Sequence, residues 1–306
     1  MEVLSLIGIA ALLLWSYGTF KSLFELCWGL WKQRSEGVDY VRRYGKWAVI
    51  TGGSNGIGLQ YARFFAQKGL NVAIIAINDE QLEQTSKEIQ QQYGVQVKKI
   101  PIDFSEGFGV YKLIEEKLIN MEIGVLVNNV GITHDKAYFE TIEIESYERF
   151  VNVNINAAVM MSRIVLPQMK QRGRGLVINI SSAFGLTPVP ICLMYGASKA
   201  FMLSFSDAMR EELRPFGVEC QTVTPLFVRT SLTEDFARTT LGALVCANLD
   251  SFGKFLTMTI GKSTRTTGYW MHGIMLTASN LIPRDILCRL LHFFIKYAAA
   301  KINENK

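Results

Sequence analysis

Between Trp47 and Pro225 the chain alternates short apolar runs with longer amphipathic stretches. WAVIT (47–51), NVAII (71–75), VKKIPID (97–103), GVLVNNV (124–130), GLVINIS (175–181) and VECQTVTP (218–225) read as strands. Helical periodicity fills the intervals at 57–68, 79–93, around 107–120, around 145–171 and around 195–214. Six strands alternating with helices leave few topologies, because parallel strands need helical crossovers and those crossovers are right-handed. The expectation is an α/β fold: a single doubly wound parallel sheet with an N-terminal hydrophobic helix ahead of it. A ligand in such a sheet sits beyond the carboxyl ends of the strands.

Of the 306 residues, 49% are apolar, enough to bury a sizeable core, which excludes a disordered chain or a disulfide-stapled miniprotein. The five Cys (27, 192, 220, 246, 288) are scattered without a CxxC pair. That argues against zinc and against a disulfide framework, and suits a reducing compartment. The net charge is +5, but residues 1–46 carry +2, residues 281–306 carry +3, and 47–280 hold 21 cations and 21 acids. A nucleic-acid partner would need a basic patch on the folded body, so none is expected.

The ends point to a membrane. Residues 3–20 are 18 residues without a charge. As a helix they span roughly 27 Å, close to the hydrocarbon thickness. A cleaved signal peptide would want a basic start and an A-x-A-like site, and neither is present. The span is expected to be a retained anchor. Lys21, Lys32 and Arg34 follow it and no cation precedes it, which puts the body in the cytosol. Residues 286–300 (ILCRLLHFFIKYAAA) read as an amphipathic helix that either lies on a membrane surface or packs on the core. The expected organisation is an anchor and flank at 1–34, a dinucleotide-binding catalytic domain at 45–280, and a C-terminal amphipathic helix and tail at 281–306.

Thr51-Gly52-Gly53-Ser54-Asn55-Gly56-Ile57-Gly58 joins the first strand to the first helix. Such a turn lets backbone approach a pyrophosphate at a helix N-terminus, which makes the sheet Rossmann-like and Gly52, Ser54, Asn55, Gly56, Ile57 and Gly58 candidate cofactor contacts. The second strand ends Ala76-Ile77-Asn78-Asp79. An acid there bonds a ribose 2′-OH and an Arg takes a 2′-phosphate. Ile77 does neither, Asn78 or Asp79 is left to reach the ribose, and the choice between NAD and NADP stays open. Asp103 is placed either to accept from an adenine amino group or to cap the next helix. In Asn128-Asn129-Val130-Gly131 the amides tie strands together or the backbone of Asn129 and Gly131 lines the adenine ribose.

Tyr195 and Lys199 lie four apart on one helix and therefore on one face. Ser182 ends the strand before it. A phenol with a pKa near 10 is a poor acid or base at neutral pH. A neighbouring ammonium is expected to lower it. Lys199 can also hold a nicotinamide ribose, and Ser182 can hydrogen-bond a substrate carbonyl. Together they would protonate a ketone as hydride arrives, or deprotonate an alcohol in reverse.

These residues, in this order, resemble the short-chain dehydrogenase/reductase family over about 45–280. The resemblance implies Asn154, in Asn152-Val153-Asn154-Ile155, as a fourth catalytic residue that holds a water linking the lysine to solvent. It implies Val228 and Thr230 as contacts to the nicotinamide carboxamide, a possible homodimer through the helices bearing Asn154 and Tyr195, and no metal. Within the family the hydrophobic N-terminus, RYGKWAVITG and ISS-x11-MYGASKAF are similar to the 17β-hydroxysteroid dehydrogenase type 3/type 12 branch, which includes very-long-chain 3-oxoacyl-CoA reductases. YGKWAVITGG, GVLVNNVG, VNVNINAA and RTTGYWMHGI resemble the hydroxysteroid dehydrogenase-like protein 1 group, some of whose members have lost the catalytic Tyr. This chain keeps Tyr195 and departs at Ile77, where the branch usually has an NADP-selecting Arg, and at Leu226, where many members have Gly.

The expected activity is hydride transfer between NADP or NAD and a lipophilic ketone or alcohol, a steroid or a 3-oxoacyl-CoA. The site of action is an endoplasmic reticulum membrane, with the mitochondrion as the alternative. The competing class is a weak or inactive reductase-like binding protein on a membrane. Phe227, Phe236, Leu241, Leu244, Phe252, Phe255, Leu256 and Trp270 are candidates for an apolar lid over the substrate.

Overall fold

The computed structural model describes residues 5, 6, 8, 9, 38–77, 80–133 and 138–304. The N-terminal anchor and Asn78 therefore lie, almost wholly and wholly, outside the described residues.

The β-branched runs become strands, and seven of them form one parallel sheet: β1 (Trp47–Thr51), β2 (Asn71–Ala76), β3 (Val97–Pro101), β4 (Ile123–Asn128), β5 (Gly175–Ile180), β6 (Val218–Val223) and β7 (Arg265–Thr266). Their spatial order is β3-β2-β1-β4-β5-β6-β7. Val49 stands opposite Ala73 on one side and Leu126 on the other. The order reverses between β1 and β4, and that switch point opens a crevice at the carboxyl edge of the sheet. The seventh strand has only two residues, too few to show a period of two.

Helices α1 (Tyr40–Tyr44), α2 (Gly56–Gln67), α3 (Glu80–Tyr93), α4 (Val110–Leu118), α5 (Ile144–Val151), α6 (Ala157–Arg172) and α7 (Leu193–Leu213) precede β6. After it come α8 (Glu234–Ala237), α9 (Thr240–Val245), α10 (Leu249–Met258), α11 (Trp270–Ser279) and α12 (Arg284–Glu304). Alternate strand residues feed two cores. Ile50, Ile74 and Val127 meet Tyr61 and Phe65 of α2 and Phe252 and Leu256 of α10. Val49, Ile75 and Leu126 meet Ile114 of α4, Val165 of α6 and Met209 of α7.

The helix expected over 145–171 is interrupted by a π turn at Asn152–Asn156. A π turn widens the helix by one residue and commonly marks a functional position. Among the described residues, the stretch Ile144–Arg172 alone is long and apolar enough to cross a bilayer, and half of it is buried in the body. A buried amide ladder fixes the neighbouring elements. Asn128 Nδ2 donates to Asn179 Oδ1 at 2.8 Å and to Ser162 Oγ at 3.1 Å, and Asn179 Nδ2 donates to Ser206 Oγ at 2.9 Å. These bonds tie β4, β5, α6 and α7 together, and α7 is the helix that bears Tyr195 and Lys199. Asn128 thus takes the tying role open to it from sequence.

Candidate active site

The glycine turn is held from the neighbouring strand. Thr51 Oγ1 accepts from Asn129 N at 3.0 Å and Val130 N at 3.1 Å. Asn129 Nδ2 returns two bonds, to Thr51 O and Gly52 O, both at 3.0 Å. Gly52 adopts φ +63°, and a Cβ on it would meet that same Nδ2 at 3.0 Å. A Cβ on Gly58 would lie 2.2 Å from Gly52 O, so only glycine lets α2 close against the turn. Asn55 stands at the N-cap of α2 without a side-chain capping bond, and its Nδ2 donates to Gln81 instead. The first-turn amides of α2 therefore have no side-chain cap of their own, as an anion site at a helix N-terminus requires.

A cleft of about 300 Å³ runs from this turn across the carboxyl edge of the sheet. It is lined by Gly52, Ser54, Asn55, Gly56, Ile57, Asp103, Asn129, Gly131, Ser182, Tyr195, Lys199, Val228 and Thr230, all candidates from sequence. Gly58 and Asn154 stand behind it. Ile77 lines it too and is 56% exposed. Among the described lining residues the charged ones are Asp103, Arg149 and Lys199. Asp103 is both wall and cap: its Oδ1 accepts from Ser105 N at 2.8 Å. The pinched glycine turn, the uncapped helix start and the length of the cleft fit a dinucleotide.

At the other end Ser182 follows β5, and its Oγ accepts from Phe184 N at 3.2 Å. Lys199 is buried, and its Nζ donates to Ile180 O at 3.1 Å. Burial disfavours the ammonium and brings its pKa down to about 8. The Tyr195 phenol moves the opposite way from the expectation. Burial pushes it up to about 12, against a hydrogen bond to Ser182 that favours the phenolate. The lowering expected from Lys199 does not act on it; the ring sits in an apolar wall, and the hydrogen bond to Ser182 is what opposes burial. Phe184 meets it edge-on at 6.2 Å.

Asn154 sits in the π turn, and both ends of its carboxamide bind one residue. Oδ1 accepts from Ile132 N and Nδ2 donates to Ile132 O, each at 2.8 Å. Val228 pairs with Ala247 in an isolated bridge. Thr230 caps the following turn through Thr233 and covers Gly56, where a Cβ would meet its Cγ2 at 3.3 Å. Leu226 N–H donates to His272 Nδ1 at 3.4 Å, and His272 Nε2 lies 3.2 Å from Phe227 O. A lone histidine carries no pattern, so this clamp was hidden in the sequence, although Met271-His272-Gly273 lay within a noticed stretch.

A second cavity of about 110 Å³ lies beyond Tyr195. Ser182, Tyr195, Leu226, Leu232 and Thr233 face both spaces. Its far wall is Phe184, Phe227, Phe236 and, from the C-terminal helix, Phe294, Ile295 and Ala298. Phe227 and Phe236 pack at 4.7 Å. Of the eight lid candidates, these two line the cavity. Phe252 and Leu256 are fully buried beneath the sheet, and Leu244 and Trp270 face solvent. The contribution of α12 to the wall was missed, because helical periodicity names an apolar face but not what it covers.

A doubly wound sheet, a pinched glycine turn and a Ser-Tyr-Lys set at one cleft define a nucleotide-dependent oxidoreductase. The chain matches the short chain dehydrogenase family over residues 46–240 and belongs to that family. It is 36% identical over 260 residues to hydroxysteroid dehydrogenase-like protein 1 of Gallus gallus, covering 85% of this chain and 78% of that one. It is 36% identical over 257 residues to the very-long-chain 3-oxoacyl-CoA reductase of Rattus norvegicus, covering 83% and 81%. A Pongo abelii relative, 36% identical over 247 residues and covering 80% and 75%, is named an inactive hydroxysteroid dehydrogenase-like protein 1. Among solved structures, a short-chain dehydrogenase from Sphingobium yanoikuyae in complex with NADPH matches with a TM-score of 0.67 and 27% identity, over 72% of this chain and 86% of that one.

Proposed function

We propose that this chain transfers hydride between a nicotinamide cofactor and a lipophilic ketone or alcohol, a steroid or a 3-oxoacyl-CoA, with Tyr195 as the acid or base. The observation that carries the reading is the position of Tyr195 and Ser182 on the partition between a dinucleotide-sized cleft and an apolar cavity. A substrate in the apolar cavity places its reacting carbon at that partition, and its greasy remainder meets Phe227, Phe236 and Phe294. The names of the relatives support the two substrate classes.

When bound, the cofactor supplies or accepts the hydride. The α2 amides and the Gly52–Gly58 turn hold its pyrophosphate, Lys199 its nicotinamide ribose, and Val228 and Thr230 its carboxamide. The phenol of Tyr195, kept neutral by burial, holds the proton that a ketone oxygen needs at neutral pH. Ser182 Oγ orients that oxygen. Lys199, cationic below about pH 8, stabilises the phenolate left behind. Asn154 fixes the Ile132 backbone beside Gly131 and Lys199. The family favours NADP, but Ile77 gives a 2′-phosphate no charge to meet, so the cofactor is NADP or NAD and turnover with each chooses between them. The uncharged N-terminal span and the cations after it support membrane attachment with the body in the cytosol, at the endoplasmic reticulum or, as the alternative, the mitochondrion. A homodimer through α6 and α7 completes the reading.

The test is turnover of a panel of steroid and 3-oxoacyl-CoA carbonyls by the full chain with NADH and with NADPH, alongside a Tyr195→Phe control. Turnover that depends on Tyr195 supports the reading. Binding of either dinucleotide without turnover would favour the second reading, a reductase-like binding protein, for which Ile77 and the relative named inactive speak.

A further inference from the structure

The C-terminal helix α12 is apolar on two sides. Its inner side closes the cavity beside Tyr195, with Ile295 and Ala298 buried. Its outer side exposes Ile286, Leu290, Phe293 and Tyr297, at spacings of four, three and four residues, and Phe293 is 71% exposed. That spacing is one stripe of a 3.6-residue helix. A helix that only packed on a soluble body would turn polar residues outward.

The charges of α12 beside the stripe are mostly cationic. Arg289 and Lys296 are exposed along it and Arg284 at its start, while Asp285 is the single acid between residues 284 and 300. Lys296 Nζ lies 5.3 Å from the ring of Tyr138, which is half exposed together with Phe139. A groove of about 220 Å³ lined by Tyr138, Phe139, Leu193 and His292 continues the apolar surface, with Glu140 as its one acid. Aromatic and aliphatic side chains flanked by an excess of Lys and Arg over acids are the composition of a helix lying in a headgroup layer. The cations also weigh against a second copy of the chain as occupant, because a two-fold contact would set this cationic stripe against itself.

We propose that the outer side of α12, with Tyr138 and Phe139, lies in the headgroup layer of an anionic bilayer. A single helix then separates the lipid from the cavity beside Tyr195. The membrane contact stands on the surface alone. Its use as an entry route for a lipophilic substrate rests on the proposed function.

The experiment places the photo-cross-linking residue p-benzoylphenylalanine at position 293 of the full chain, and in a second protein at position 119. Ile119 is 74% exposed and follows α4 at the amino edge of the sheet, away from the cleft. Each protein is irradiated on phosphatidylcholine vesicles with and without phosphatidylserine. The expected result is lipid adducts at 293 several-fold above those at 119, reduced when phosphatidylserine is omitted or salt is raised, and abolished by L290E with Y297E while dinucleotide binding is kept. Attachment through the N-terminal span alone would give no excess at 293. Equal adducts at the two positions, no adduct at 293, or chain-to-chain adducts at 293 would each overturn the proposal, the last in favour of a second copy. A chain that cross-links lipid at 293 yet turns over no carbonyl would sink the catalytic reading and leave this one standing.

Discussion

Lys199 Nζ lies 5.5 Å from the centre of the Tyr195 ring. Lys199 is buried and Tyr195 partly so, and burial favours the neutral form of each. The phenol rises to about 12 and the ammonium falls to about 8. At neutral pH the pair therefore holds a neutral acid beside a cation, the protonation state that ketone reduction uses.

Loss of the phenol removes the proton donor, so Tyr195→Phe lowers kcat by about 10²–10⁴-fold with little change in dinucleotide affinity. In the wild type, kcat/KM for reduction holds level below about pH 8 and falls above it as Lys199 loses its proton. Steady-state kinetics between pH 6 and 10 read both effects. A profile flat through pH 9 would remove Lys199 from the mechanism.

Ile77 stands 56% exposed in the wall of the cleft at the end of β2. A guanidinium there gains a charge-assisted bond to a 2′-phosphate, discounted by its exposure to about 1.4 kcal/mol, or tenfold. Ile77→Arg thus tightens NADPH about tenfold and leaves NADH nearly unchanged. Fluorescence titration of both cofactors measures the ratio, and equal shifts for the two would place the 2′-phosphate elsewhere.

Asn154 satisfies both backbone groups of Ile132. Asn154→Ala leaves a peptide N–H and C=O without those partners in a part-buried loop, at a cost of about 1–3 kcal/mol. Because that loop carries Gly131 beside Lys199, turnover falls as well. Asn154→Asp keeps the acceptor but sets a carboxylate oxygen against Ile132 O at a buried position, so both variants should have denaturation midpoints below the wild type. An alanine variant as stable as the wild type would show the clamp to be idle.

The strands and the glycine turn were readable because each rests on a short-range rule. Val49 and Ile50 alternate between two cores, and Gly52 and Gly58 sit where a Cβ has no room. The two-residue β7 obeys no such rule, since Arg265 and Thr266 join the sheet only because β6 is there to pair with. The direction of the Tyr195 shift was misread because helical spacing brings Lys199 near, whereas the desolvation that wins depends on packing around Phe184 and Cys192. Phe294, Ile295 and Ala298 belong to the cavity for the same reason: their partners lie about 60 to 165 residues away in the chain.

His272 is fully buried, and its two ring nitrogens address consecutive residues of the loop between the cleft and the apolar cavity. Nδ1 accepts from Leu226 N–H, so Nε2 carries the hydrogen and donates to Phe227 O. Burial brings its pKa from 6.5 down to about 4. Between those values the unfolded chain takes a proton that the folded chain refuses. The stability that neutral His272 provides is full above about pH 6.5 and is lost as pH falls toward 4, by up to about 1.4 kcal/mol per unit. His272→Leu leaves Phe227 O and Leu226 N–H unpaired, costs about 1–3 kcal/mol at pH 7, and removes this part of the acid sensitivity. Urea denaturation of both proteins at pH 7 and pH 5 isolates the effect, because all other titrating groups are shared. The gap between them is expected to narrow at pH 5, and a gap that stays constant would mean that His272 titrates outside this window.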